Sequence, residues 1–257
     1  MLITTKGLVI SSRTVGENDR SISIITDELG VVDILCKGAQ KNTSKNNAAT
    51  QLFAYAKFCY NERNAKYYLN SSEPINIFYG IRTDIKKVAL ASYIAELLKY
   101  SIMNMSPHEE VMRLTLNTFY LIAENKRSCE LMKCIFELRF ACLIGYTPQI
   151  GCCCVCYEYS YERMYFIIKS GKLMCKPHFY QKYVTLPYEN EFFPFAQTLD
   201  EKMLDIIRTI CLTDLARIFS LNVKGDYLKE LNRFTERYLM EHIDHHFKTL
   251  DFYNSLD

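Results

Sequence analysis

The chain has 257 residues, 49% of them hydrophobic, with 31 Lys and Arg against 29 Asp and Glu and 11 cysteines. That is ample for one large core or two to three small ones, and we find no internal repeat or low-complexity tract that would argue otherwise. No stretch approaches about 18 uninterrupted apolar residues, and the opening Met1-Leu2-Ile3-Thr4-Thr5-Lys6 lacks a basic segment followed by an apolar run, so a membrane span and a signal peptide are not expected and a cytoplasmic protein is. An odd cysteine count, a tight cluster and no export signal favour reduced thiols plus metal over disulfides.

The first eighty residues read as β. Runs at 7–15, 21–26, 31–36, 52–60 and 67–77 are rich in β-branched or aromatic residues, and Gly16-Glu17-Asn18-Asp19, Asp27-Glu28-Leu29-Gly30 and Asn61-Glu62-Arg63-Asn64 punctuate them. Five short strands suit a small barrel of the oligonucleotide-binding (OB) type. A polar loop at 38–50, expected to be flexible, separates the third and fourth strands.

From Thr83 the apolar period becomes helical. Asp84 caps a helix carrying Ile85, Val88, Ala91, Ile94, Ala95, Leu98 and Ile102, and Ser106-Pro107-His108-Glu109 reads as a capping box opening a second. Ser128 starts a third, which stops at Gly145 and Pro148. Pro187 and Pro194 mark an extended linker, Thr198-Leu199-Asp200-Glu201 opens a further capped helix, and a long last helix is expected from about Asp226 to Lys248. The expected class is therefore α+β multidomain: an OB-type barrel over 1–80, a helical domain in two parts over 81–149 and 187–257, and a ribbon inserted at 150–186.

That ribbon rests on Cys153-Cys154-Val155-Cys156 and Cys175-Lys176-Pro177-His178. A Cys-x2-Cys and a Cys-x2-His pair some twenty residues apart have the spacing of a four-ligand structural zinc site. Cys153 with Cys156 leaves two residues between its sulfurs, so Cys153, Cys156, Cys175 and His178 are the expected ligands of one Zn2+, and Cys152 and Cys154 the spectators. The competing reading is a set of buried or redox-active thiols without metal. Cys36, Cys59, Cys129, Cys134, Cys142 and Cys211 are expected to be small core residues.

His242, His245 and His246 share one helical face, a spacing open either to metal binding or to simple placement at a helix C-terminus. Glu96, Glu137 and Arg139 read as solvated charges. No phosphate loop, dinucleotide fingerprint or nucleophile elbow is present, so no active site is expected. The stronger signal is charge. Residues 36–66 carry Lys37, Lys41, Lys45, Lys57, Arg63 and Lys66 against Glu62, six minus one, or +5. A cationic loop can follow a phosphate backbone while Phe53, Tyr55, Phe58, Tyr60, Tyr67 and Tyr68 offer faces to bases, unless those rings are barrel core. DNA contact is assigned to Lys37, Lys41 and Lys45, with Arg20, Lys57, Arg63 and Lys66 as further contacts.

The order of parts, with Gly16-Glu17-Asn18-Asp19-Arg20, Thr26-Asp27-Glu28-Leu29-Gly30, Lys37-Gly38-Ala39, Ala91-Ser92-Tyr93-Ile94-Ala95-Glu96-Leu97, Phe136-Glu137-Leu138-Arg139 and Gly145-Tyr146-Thr147-Pro148, resembles the bacterial RecO family of DNA repair and recombination mediators along essentially the whole chain. The resemblance implies a non-enzymatic, nucleoid-associated protein of the RecF pathway. Such a protein binds single- and double-stranded DNA, anneals strands, and works with RecR and single-strand-binding protein to load RecA. It also implies an apolar groove on the helices for the acidic, Phe-ending C-terminal tail of single-strand-binding protein. Gln40 and Lys41 stand where the family usually has two arginines, and Ser44-Lys45 where it has Ser-Arg; lysine keeps the charge and loses the bidentate fork. His178 stands where it often has a fourth cysteine, an exchange zinc accepts. The alternatives are a zinc-stabilised adaptor that binds only proteins, and a thiol oxidoreductase using Cys153 and Cys156.

Overall fold

The computed structural model describes residues 2–102, 109–159, 162–183 and 193–256. It divides into two compact units, residues 1–129 with 246–257, and residues 130–245.

The first unit is built on five strands: β1 (Leu2–Val15), β2 (Asp19–Thr26), β3 (Gly30–Cys36), β4 (Tyr55–Arg63) and β5 (Lys66–Asn76). They close into a barrel in the order β1-β2-β3-β5-β4, antiparallel except where β3 meets β5 at Ile34↔Tyr67 and Leu35↔Tyr68. Closure removes the exposed edges that an open sheet would offer to other chains. Alternation decides the interior: Ala56, Phe58 and Tyr60 of β4 point inward with Val9, Ile22, Ile24, Val32 and Ile34, while Lys57 lies outside. β1 carries an irregularity between Val9 and Ser11; Val9, in register with Ile24 of β2, also exchanges hydrogen bonds with Phe53 and Ala54. At Gly7 a Cβ would come within 3.0 Å of Ile24 Cδ1 and Ile25 O, so a larger residue would force those neighbours to shift.

The compact unit that holds the barrel extends past residue 80. Helices α1 (Ile85–Ile102) and α2 (Glu109–Ala123) belong to the same unit. Phe53 and Phe78, both in the left-handed backbone region (φ 67 and 44), stand edge-on to Phe119 of α2 at 5.5 and 5.8 Å. Asp84 caps α1 through Lys87 N at 3.0 Å, as expected. Of the anticipated capping box for α2, Ser106, Pro107 and His108 lie outside the described residues. The short helix α8 (Lys248–Asn254) packs on α1, with Phe247 edge-on to Tyr93 and Tyr100 and the Thr249 hydroxyl donating to Glu96 at 2.5 Å. Glu96 is thus a docked carboxylate rather than a solvated one.

The second unit holds α3 (Cys129–Leu143, all but its first residue), a three-stranded sheet in the order β7-β6-β8, and helices α4 to α7. The strands are β6 (Met164–Ile167), β7 (Lys172–Cys175) and β8 (Ala196–Leu199); the helices are α4 (Lys176–Tyr183), α5 (Glu201–Leu212), α6 (Leu215–Ile218) and α7 (Asp226–His242). The ribbon hairpin is present, and the segment after the second proline adds a third strand to it. Phe166 of β6 packs on Phe234 and Tyr238 of α7 at 5.1 and 5.6 Å, so the insertion shares a core with the helices around it. The long last helix stops at His242, because Ile243 turns extended (φ −113) and the chain resumes as α8.

Of the charges expected in solvent, Glu137 is buried here and Arg139 half-buried. Glu137 is fully buried beside Lys133, also fully buried, at 3.0 Å; Lys133 further reaches Glu236 and Asn232, each at 2.7 Å. The Glu137 carboxylate also accepts from Thr235 at 2.7 Å. Arg139 donates to the Cys211 carbonyl at 2.8 Å at the end of α5. The partners come from α5 and α7, about 70 to 100 residues away in sequence. Of the cysteines taken as core, Cys36, Cys134 and Cys211 are buried, while Cys59, Cys129 and Cys142 are half-buried.

Candidate metal centre and cationic face

Cys153, Cys156, Cys175 and His178 are brought together, their ligating atoms all within 4.8 Å of one another, in a cluster able to hold a metal ion. Cys153 Sγ lies 3.9 Å from His178 Nδ1, Cys156 Sγ 3.7 Å from Cys175 Sγ, and Cys175 Sγ 3.0 Å from His178 Nδ1. A tetrahedral ion with bonds of about 2.3 Å to sulfur has edges of about 3.8 Å, so the set is the right size for zinc, with one edge short. Three thiols and an imidazole form a soft donor set that suits the same ion.

Each ligand pair sits on its own device. The first is on a tight turn in which Tyr157 (φ 63) donates its N–H to Cys153 O at 2.9 Å and Cys153 N–H to Glu158 O at 2.8 Å. The second spans the end of β7 and the start of α4, which carries His178 back one turn over Cys175. Burial works against a thiolate at Cys153, yet backbone N–H groups of Cys156, Cys175 and Val155 outweigh it and bring the thiol down to about 6. Burial pushes Cys175 up to about 11. A metal ligand must be deprotonated, and amides aimed at Cys153 favour that form. Cys152 and Cys154 lie outside the cluster; Cys154 is exposed, and its N–H donates to Leu173 O at 2.8 Å.

Arg208 of α5 is the residue the sequence does not reveal. It is buried and donates to Ile150 O at 2.9 Å, Gly151 O at 3.0 Å and Tyr159 O at 2.6 Å, so one guanidinium holds both ends of the knuckle. It also lies 3.8 Å from the centre of the Tyr159 ring. The histidine trio makes no second centre among the described residues. His242 Nδ1 donates to Tyr238 O at 2.8 Å, and His246 pairs with Asp251 at 2.9 Å.

In the barrel, Lys37, Lys41, Lys45, Lys57, Arg63 and Lys66 are all exposed. The loop bearing the first three is a run of consecutive turns, not a flexible tether. Lys41 N–H donates to Gly38 O, Ser44 N–H to Lys41 O and Asn47 N–H to Ser44 O, while Ala39, Ala49 and Thr50 are buried beneath. Side chains from elsewhere pin it. Asp19 accepts from Gly38 N–H at 2.8 Å, Ser72 N–H and Oγ both donate to Asn46 at 2.9 Å, and Arg82 donates to Gln51 and, at 2.8 Å, to Leu52 O. Half-buried Arg20 donates through Nη1 to Thr50 Oγ1 at 3.0 Å and Asn47 O at 3.3 Å. The lysines thus project from an ordered base.

The aromatics divide. Phe53, Phe58 and Tyr60 are buried core, whereas Tyr55, Tyr67 and Tyr68 are half-buried, and Lys37 Nζ sits 5.7 Å over the Tyr68 ring. Arg63 and Lys66 face each other across the β4–β5 hairpin, whose tip Asn64-Ala65 is left-handed (φ 50 and 57). Next to it runs a groove of about 580 Å³ lined by Arg13, Ser21, Asp33, Leu35, Lys66 and Tyr67. Lys57 lies apart on β4, opposite Lys6 of β1 and Glu73 of β5.

Compared with known families, residues 1–78 match Recombination protein O N terminal and residues 82–251 match Recombination protein O C terminal. The chain belongs to the RecO family. Among its relatives, DNA repair protein RecO of Acetivibrio thermocellus is 29% identical over 256 residues, 99% of this chain and 97% of its own length. DNA repair protein RecO of Alkaliphilus metalliredigens is 26% identical over 244 residues, 95% of each chain, and that of Desulfitobacterium hafniense 30% over 172 residues, 66% of this chain and 62% of its own. RecO membership supports a role in DNA repair and recombination. Among the described residues no helix is long and apolar enough to cross a membrane.

Proposed function

We propose that the protein is a non-enzymatic recombination mediator of the RecF pathway that binds single- and double-stranded DNA on its barrel, anneals complementary strands and, with RecR, helps load RecA onto DNA coated by single-strand-binding protein. The observation that carries this reading is the ordered loop presenting Lys37, Lys41 and Lys45 to solvent, with Tyr68 beneath Lys37 and Lys66 across the neighbouring groove. Cations on a fixed base can neutralise successive phosphates while a half-buried tyrosine offers a face to a base. Lys57 and Arg63 extend the same positive half. Zinc on Cys153, Cys156, Cys175 and His178 would hold the knuckle's shape, since three thiolates and an imidazole close a tetrahedron and leave no open position for chemistry. A cytoplasmic, nucleoid-associated location follows from that role.

Fluorescence anisotropy with labelled single strands and duplexes over a salt series tests the reading. Log K should fall linearly with log salt. The rival reading, a zinc-stabilised adaptor for proteins alone, requires no salt-dependent DNA binding at all.

For single-strand-binding protein we propose the groove of about 730 Å³ in the second unit, where Tyr165 and Phe193 form an apolar floor beside Lys229, Arg233 and Arg237. An acidic tail ending in Phe matches that pairing of aromatic floor and cationic rim, although Asp226 and Glu230 share the rim. Arg233→Glu should weaken binding of a tail peptide at low salt; unchanged binding would remove this groove as its seat.

A further inference from the structure

Arg20 stands on the inward row of β2 with Ile22 and Ile24, where the 37–54 loop closes the barrel's end. Its bonds to Thr50 and Asn47 use Nη1 alone. Among the described residues Nε and Nη2 meet neither a hydrogen-bond acceptor nor a carboxylate, and they are not sealed from solvent. Arg82 approaches the same loop from the other side and is spent on Gln51 and Leu52 O, again with no acid. The nearby Asp19 carboxylate accepts from Gly38 N–H. Two half-buried guanidinium groups therefore share the loop's base with only neutral acceptors. Burial lowers the pKa of both, and for Arg82 the charge of Arg20 lowers it further. Charges kept half out of water without a counter-ion are costly, and an anion would relieve that cost.

We infer that Arg20 is a fixed phosphate fork, whose Nε–Nη2 edge takes a phosphodiester of the bound DNA, held in orientation by Thr50 and Asn47 and reinforced by the positive field of Arg82. The inference rests on the DNA-binding reading above. The geometry gives Arg20 a part that the exposed lysines do not have. A guanidinium offers two parallel N–H donors to two phosphate oxygens, whereas an ammonium on a mobile stem is a point charge. One edge of Arg20 is already immobilised by the loop, so less side-chain freedom is lost when the other edge binds.

Two measurements test it. In the wild-type protein, the assigned Arg20 Nε–H resonance is followed by NMR during titration with a single-stranded oligonucleotide and, separately, with inorganic phosphate at matched ionic strength. The resonance should move and exchange more slowly with the oligonucleotide, and respond far less to phosphate. In parallel, Arg20→Lys should bind the oligonucleotide roughly tenfold more weakly with an unchanged salt slope, because the charge is kept and the fork lost. If Arg20→Lys does not fold, Thr50→Val takes its place; it removes one orienting acceptor and should weaken binding several-fold. Oligonucleotide binding that leaves the Arg20 resonance unmoved, or leaves Arg20→Lys as tight as wild type, overturns the fork while the DNA reading stands. An equal response to inorganic phosphate overturns the assignment of the site to DNA. No oligonucleotide binding by the wild-type protein overturns both.

Discussion

The loop of residues 37–54 and the knuckle of residues 150–159 are both irregular backbone, yet the loop is held by side chains of β2, β5 and Arg82, and the knuckle by Arg208 beside a Cys/His cluster able to hold a metal ion. Each hydrogen bond in the loop adds about 1 kcal/mol net, so its order should erode gradually as these bonds are removed. A structural zinc contributes roughly 10–16 kcal/mol of apparent binding energy in small zinc domains, so the knuckle should stand or fall with its ion. One segment presents charge on a base assembled from many weak ties, and the other, with an ion bound, would keep its shape through one strong one.

The largest expected effect breaks the comparison on the metal side. Freshly purified, chelator-free protein should carry one zinc per chain, and Cys175→Ser should lose it and unfold the knuckle, exposing residues 150–183 to protease. Elemental analysis without zinc would refute the ion. DNA affinity of the barrel should survive the substitution.

Next in size is the buried network between α3 and α7. Lys133→Ala leaves Glu137 in the core without its cation and should cost about 3–5 kcal/mol in denaturant unfolding. The network also sets a pH dependence. Burial alone would lower the Lys133 pKa, but Glu137 and Glu236 outweigh it and raise it above 10.5. Its stabilisation is therefore fully present below the unfolded value of 10.5 and is lost as pH rises through the higher folded value. Wild type should lose stability faster than Lys133→Met in that alkaline window; parallel curves would contradict the assignment. For Glu137, complete burial raises the carboxyl's pKa in spite of Lys133, as expected where one cation is shared between two acids.

Smaller effects sharpen the contrast. Asn46→Ala removes the acceptor for both Ser72 donors and should cost about 1–2 kcal/mol while speeding amide exchange in the loop, with zinc content unchanged. Cys152→Ser and Cys154→Ser should leave the metal in place; loss of zinc in either would mean that the ligand pair is wrongly chosen.

Local spacing explains what the sequence discloses. Cys153, Cys156, Cys175 and His178 are legible because each pair has two residues between its members, and the barrel because Ala56, Phe58 and Tyr60 alternate with Tyr55, Lys57 and Cys59. The Arg208 contacts, the Lys133–Glu236 pair and the Arg20–Thr50 contact are illegible because the partners are tens of residues apart and are chosen only by packing. Strand β8 is four residues long and exists because β6 offers it an edge, so Ala196-Gln197-Thr198-Leu199 gives no signal alone. The loop's polar composition suggests flexibility, but its Asn, Ser and Thr side chains include ones that bond to the fold, as Asn46 and Thr50 do.

The most direct test of the cationic face compares wild type with the Lys37→Ala, Lys41→Ala, Lys45→Ala triple variant in single-stranded DNA binding at several salt concentrations. No core residue is touched, so the variant should fold and keep its zinc. We predict weaker binding to all sequences alike and a log K against log salt slope flatter by up to about 2, at roughly 0.7 for each phosphate no longer neutralised. Unchanged affinity and slope would contradict the account and leave the loop a solvated turn.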